Sequence, residues 1–319
     1  MNIELIEVYS DIGAGKHGTV HGVDMLSKHC EQHQPAAVHK IFAQPVNESP
    51  KQPSAKYIEH LLPFFQDKLM PTVQGLLDNS KQSQHFPVII SGDHSNAIGN
   101  LAAFMNHHKD ARIGVVWIDA HADLHSVYTT PSGNMHGMPL ATALRLDNLD
   151  CQINTPDANL ANQWQSLKAL STHAGIRPSD VFFLGLRSYE APEEHIIANQ
   201  QIFAYSAQGA SIGSNDSNKP LAVILDQLID KLQTLDAVYV SFDVDALDAS
   251  LIPATGTPEP HGYTADEIRS IFDALLGLDS VKLFEITEFN PTLDDDSDKH
   301  QTIFVLLDYA LDRINQRQA

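Results

Sequence analysis

Short apolar runs recur along this chain, and most lead into a stretch with helical spacing of its apolar residues. Val88–Ile90, Val115–Ile118 and the run 237–248 are apolar on both sides of a pleat, as strands buried on both faces must be. Strands of that kind, separated by helices of about 10–15 residues, build βαβ units and a parallel sheet covered on both sides. The reading in order is strands at 3–8, 36–44, 88–90, 115–118, 181–188, 237–248 and 281–291. Between them lie helices at 22–31, 57–77, from 95 onward, 164–173, 192–200, 220–235, 264–276 and 300–316. Pro63 and Pro71 are expected to break the helix at 57–77. Residues 147–162 and 207–220 read as loops, and Thr264 with Glu267 as a capping box. The expectation is α/β: one domain over residues 1–319, a three-layer αβα sandwich around a mostly parallel sheet of about eight strands.

Composition narrows the partners. With 40 acidic and 20 basic residues the formal net charge is −20, which disfavours nucleic acid or an anionic membrane surface. Two cysteines, Cys30 and Cys151, make no disulfide framework or CxxC pair, so a reducing compartment is expected. No signal peptide and no apolar run of membrane-spanning length is read, and the expected location is cytoplasmic.

Three strands run into clusters of metal-ligand residue types: His94 after 88–90; Asp119, His121 and Asp123 after 115–118; and Asp243 and Asp245 within 237–248. In open parallel sheets, ligands bind outside the carboxyl ends of the strands. Four aspartates in one crevice would repel and be driven toward protonation unless cations sit among them. Two divalent ions balance that charge, and a thiolate-free, oxygen-rich set suits Mn²⁺ better than structural Zn²⁺. Two ions about 3.5 Å apart can share a hydroxide made at neutral pH. The Gly-rich segment 13–22 lacks a phosphate-binding pattern and reads as a strand-to-helix loop bordering the site. The acidic run 294–298 reads as a solvated loop and helix start, His17, His21, His29, His33 and His39 as surface residues, and Arg187 as an ion-pair former.

The segments SGDHS, DAHAD, SGNMHG, SFDVDALD, PATGTP and EITEFNP occur in the order and spacing of the ureohydrolase (arginase) family, which the chain resembles over nearly its whole length. That resemblance implies a binuclear Mn²⁺ hydrolase, two ions per chain, acting on a guanidino or formimino group. One ion would take His94, Asp119, Asp123 and Asp243; the other His121, Asp245 and the bridging Asp119 and Asp243. It implies that Asp123 accepts a hydrogen bond from the attacking hydroxide, that Glu288 holds the guanidinium, and that His136 shuttles a proton. His125, Ser132 and Asn134 would meet an α-carboxylate, Glu190 an α-amino group, and Thr257 the guanidinium side. The SGN segment favours L-arginine, cleaved to L-ornithine and urea, over agmatine, guanidinobutyrate or formimidoylglutamate. Trimers or hexamers are the assemblies the resemblance implies. A mononuclear zinc deacylase of related architecture and a metal-bound scaffold without activity are the rival readings.

Overall fold

A computed structural model describes residues 2–83, 85–213 and 217–317. The strands are β1 (Asn2–Tyr9), β2 (Ala37–Phe42), β3 (His85–Ser91), β4 (Ile113–Ile118), β5 (Val181–Leu184), β6 (Phe203–Tyr205), β7 (Ala237–Asp243) and β8 (Val281–Thr287). The helices are α1 (Thr19–Cys30), α2 (Ile58–Phe64), α3 (Met70–Ser83), α4 (Ala97–His107), α5 (Pro139–Leu144), α6 (Ala158–Lys168), α7 (Ala191–Asn199), α8 (Leu221–Leu232), α9 (Ala265–Leu275) and α10 (Ser297–Asn315).

All eight strands form one parallel sheet in the order β2-β1-β3-β8-β7-β4-β5-β6. Side chains alternate across it, so β4 sends Ile113, Val115 and Trp117 into one core and Val116 and Ile118 into the other. The first core is roofed by α2 to α7, the second by α1, α8, α9 and α10. This is the expected αβα sandwich. None of the helices is long and apolar enough to cross a membrane, among the described residues.

Several boundaries differ from the sequence reading. Pro63 and Pro71 do not interrupt the helical path: α2 passes into a π-turn at Phe65–Leu69 and then α3. There the Met70 N–H donates to the Phe65 carbonyl, one residue beyond the α pattern, just before the proline that has no N–H to give. The helix expected at 164–173 starts earlier, because Asp157 caps it by accepting from the Leu160 N–H at 2.7 Å. The three-residue β6 is too short to carry a period and was not read. Of the expected loop 207–220, residues 214–216 lie outside the described residues.

The strand order has one consequence for chemistry. The chain places β1 to β3 on one side of the sheet and β4 to β6 on the other, and β7 and β8 fill the gap between β3 and β4. The carboxyl ends of β3, β8, β7 and β4 therefore stand side by side. These are the four strands that precede His94, Glu288, Asp243 and Asp119.

Candidate active site and metal centre

All thirteen residues singled out from the sequence line one cavity of about 320 Å³ above those strand ends. At its floor His94 lies flat on Trp117, ring centroids 4.0 Å apart and planes 3° from parallel. Ser241 Oγ donates to Glu285 Oε2 at 3.2 Å, so toward His94 Nε2, 2.9 Å away, it acts as acceptor. The proton of His94 thus sits on Nε2 and the lone pair on Nδ1. That Nδ1 is buried without a hydrogen-bond partner, 3.1 Å from Asp119 Oδ2, 3.1 Å from Asp123 Oδ2 and 3.2 Å from Asp243 Oδ2. Asp119 Oδ2 is likewise buried and unpartnered. A ring nitrogen and three carboxylate oxygens converging in a buried space are the donor set a cation completes.

A second group adjoins the first through Asp119. His121 Nδ1 lies 3.0 Å from Asp245 Oδ2 and 3.5 Å from Asp119 Oδ1. Both groups, His94/Asp119/Asp243 and Asp119/His121/Asp245, bring their ligand atoms within 4.8 Å of one another. Local backbone bonds aim these carboxylates. Asp119 Oδ1 accepts from the His121 N–H at 2.7 Å, Asp243 Oδ1 from the Asp245 N–H at 2.8 Å, and Asp245 Oδ1 from the Ala120 N–H at 3.1 Å. Asp123 holds a left-handed backbone at φ 51° and Glu288 at φ 64°, a strained state for side chains of this kind that clusters at functional sites.

The electrostatics are those of a cage lacking its counter-charge. Burial, with Asp245 and Asp119 nearby, pushes the Asp243 carboxyl well above its ordinary range. Burial pushes Asp245 up to about 6 despite the attraction of His121. Asp123 is raised by burial and by Asp119. For Asp119 burial opposes ionisation, but His121 and His94 outweigh it and hold the carboxyl low.

Beside the cage, Glu288 Oε1 accepts from the His94 N–H at 2.8 Å and lies 3.2 Å from His136 Nδ1. Burial disfavours the charged ring, yet the Glu288 contact raises His136 to about 9. At the rim, His125 Nε2 lies 2.9 Å from Glu190 Oε2 and 3.5 Å from Glu193 Oε2. Hydrogen bonding to His125 holds Glu190 down at about 2, whereas burial pushes Glu193 up to about 8. Thr257 donates to Asp245 Oδ2 at 3.1 Å. Ser132 Oγ accepts from the Asn134 N–H at 3.2 Å.

The sequence reading missed Glu193, Glu259, Asp93 and Glu285. Glu193 stands at the third position of α7, and its Oε2 accepts from the Glu190 N–H while Glu190 accepts in return. That reciprocal spacing was the available signal. Glu285, within an apolar run, accepts from Ser91 Oγ at 2.6 Å, Asn100 Nδ2 at 2.8 Å and Tyr239 OH at 2.6 Å besides Ser241, all buried. Glu285→Leu strands four donors and should cost at least about 3 kcal/mol, read as a lower denaturant midpoint at unchanged slope.

Within the chain, among the described residues, Arg187 meets carbonyls where an ion pair in the core or at an interface is the sequence expectation. Its guanidinium donates to the carbonyls of Gly185, Asp245, Leu247, Glu259 and Pro260 and so ties the β5 and β7 loops together. The Gly-rich segment does border the site: the Gly13 N–H donates to Asp93 Oδ2 at 3.0 Å, and the His136 N–H to the Gly13 carbonyl at 3.2 Å. Outside the site, His29 and His33 meet Asp308, His39 meets Glu4, and Asp296 caps α10.

The Arginase family profile matches residues 2–312. The chain belongs to that family. Among its relatives is the arginase of Bacillus subtilis, 30% identical over 246 residues, or 77% of this chain and 74% of that protein. The arginase of Bacillus caldovelox is 32% identical over 224 residues, 69% of this chain and 66% of that protein. The solved structure of the Bacillus caldovelox arginase superposes with a TM-score of 0.76 at 26% identity, covering 100% of this chain and 99% of that one. As a member of the Arginase family, a family of metalloenzymes, this chain is a hydrolase.

Proposed function

We propose that this hydrolase cleaves L-arginine to L-ornithine and urea with two Mn²⁺ ions per chain. The observation that carries the reading is the buried, unpartnered His94 Nδ1 and Asp119 Oδ2 facing Asp123 and Asp243. His94, Asp119, Asp123 and Asp243 would hold one ion, and His121, Asp245, Asp119 and Asp243 the other. When bound, such a pair supplies Lewis acidity and brings the ionisation of water toward neutral pH. Six ligands with four carboxylates and no thiolate suit Mn²⁺.

The side chains supply orientation. Glu288, its Oε1 already engaged by the His94 N–H, offers its remaining lone pairs to a guanidinium as charge-assisted, geometrically selective acceptors. His136, charged beside Glu288, hands its proton to the departing amine. Asp123 accepts a hydrogen bond from the attacking hydroxide and so orients it. Thr257, through its hydroxyl, keeps Asp245 aimed. His125, Ser132 and Asn134 meet the substrate carboxylate, and Glu190 its α-amino group, so entry of the amino acid loosens the 2.9 Å His125–Glu190 pair.

The test is release of urea and ornithine from L-arginine by Mn²⁺-loaded protein, beside agmatine, guanidinobutyrate and formimidoylglutamate. Turnover of one of those three and not of L-arginine overturns the arginine assignment. Metal analysis finding one zinc per chain would favour the deacylase chemistry instead. Glu288→Gln should lower kcat/KM for L-arginine by about a hundredfold or more, the usual effect of uncoupling a buried charged pair. With Cys30 buried and both cysteines free, we place the protein in the cytoplasm, acting on a small guanidino compound and assembling as a trimer or hexamer. Light scattering coupled to size exclusion reads the assembly.

A further inference from the structure

We propose that Lys56 makes the pocket selective for substrates that carry a carboxylate, acting through Asn134; this rests on the guanidino-hydrolase reading above. Among the described residues, the cavity is lined by eight carboxylates, those of Asp119, Asp123, Glu190, Glu193, Asp243, Asp245, Glu259 and Glu288, and by no lysine or arginine. Two divalent ions offset half of that charge, and the charged His136 and the raised Glu193 reduce it further without cancelling it. What remains favours a cationic tail and repels an anionic one. His125, on the cavity wall, is already engaged by Glu190 at 2.9 Å.

Lys56 lies just behind the lining. Its ammonium donates to Asn134 Oδ1 at 2.9 Å, and its backbone N–H to the Gly133 carbonyl at 2.8 Å. Gly133, at φ 74°, packs so closely under this segment that a Cβ would lie 1.8 Å from the Pro53 carbonyl oxygen. The segment around Lys56 is therefore built onto the Ser132–Asn134 turn. With Oδ1 taken by an ammonium, which can only donate, the Asn134 amide has one orientation. Its Nδ2 lies toward Gly15, where a Cβ would come within 2.7 Å of it, and Asn134 itself lines the cavity. A substrate carboxylate then finds a fixed N–H donor with a positive charge directly behind it. An amine tail finds no advantage there.

The experiment compares wild type, Lys56→Met and Lys56→Arg, each loaded with Mn²⁺. Steady-state kinetics use L-arginine and agmatine, and calorimetry measures binding of L-ornithine and of putrescine, which lacks the carboxylate. In Lys56→Met the KM for L-arginine and the Kd for L-ornithine should rise about tenfold, the cost of one charge-assisted hydrogen bond. Its kcat for L-arginine should stay within about twofold, as expected for binding shared by ground and transition states. Agmatine kinetics and putrescine binding should hold or improve, and Lys56→Arg should recover part of the loss. Equal losses for both tails, or no loss for either, overturn the role of Lys56. Should wild type hydrolyse no guanidine while Lys56→Met still loses L-ornithine selectively, the hydrolase reading fails and the carboxylate role stands.

Discussion

Asp243→Asn should abolish turnover and reverse the effect of metal on stability. Asp243 presents Oδ2 to the His94 lone pair at 3.2 Å and uses Oδ1 to accept from the Asp245 N–H at 2.8 Å. In the proposed function Asp243 would help hold both ions, so its neutralisation should weaken both. Loss of several kcal/mol of charge stabilisation corresponds to a fall in kcat of at least about a thousandfold. The metal-free protein should respond in the opposite sense. Burial and the nearby Asp245 and Asp119 hold the Asp243 carboxyl well above its ordinary range, so ionising it in the folded, metal-free protein costs stability. Asparagine removes that cost and keeps the shape. Thermal unfolding should show the variant at or above wild type without metal, and below wild type with Mn²⁺ in excess. A variant that is less stable in both states would mean Asp243 is chiefly structural.

Removing the metal from the unaltered protein should have the second largest effect. Chelation followed by dialysis should abolish activity, and Mn²⁺ should restore it. At a free concentration about a thousandfold above Kd, each ion that binds only the folded state contributes about 4 kcal/mol. For a chain of 319 residues that is a shift of about 6 °C in Tm per site. The two forms should also diverge with pH. In the metal-free protein Asp245 sits at about 6, above the value an unfolded aspartate has. A carboxyl raised by folding takes up its proton earlier in the native state, so the metal-free protein gains stability as pH falls from about 7 to about 5. The loaded protein loses stability over the same window, because protons displace the ions. Tm measured at both pH values, with and without Mn²⁺, reads the two slopes; parallel slopes would argue against ions at these carboxylates.

The site was legible to unequal degrees. The ligand clusters could be read because each is local: Asp119, His121 and Asp123 follow one apolar run, and Asp243 and Asp245 end another. Strand ends in a parallel sheet converge, so clusters on separate βα units could be expected to meet before the strand order was known. Thr257 kept its place at the cavity but took a partner that local pattern does not reveal, the Asp245 carboxylate. Glu285 was invisible for the opposite reason. A lone acidic residue in an apolar strand reads as solvent-facing, and only the four donors arriving from β3, α4 and β7 make it a buried acceptor. Arg187 reads as a charge seeking a charge, yet carbonyls at five loop positions take its protons.

The amino-acid sequence by itself determined the α/β class, the doubly covered sheet and the residue types of the metal cage. These follow from hydrophobic period and from chemistry carried within a few residues, both of which are local properties. Tertiary structure alone decided that β8 and β7 lie between β3 and β4, bringing Glu288 beside His94 across 194 positions. It also decided that His125 pairs with Glu190 across 65 positions and that Lys56 reaches Asn134 across 78. Those pairings depend on how distant segments pack, and packing is set by the shape and burial of the whole chain, which no local window of sequence contains.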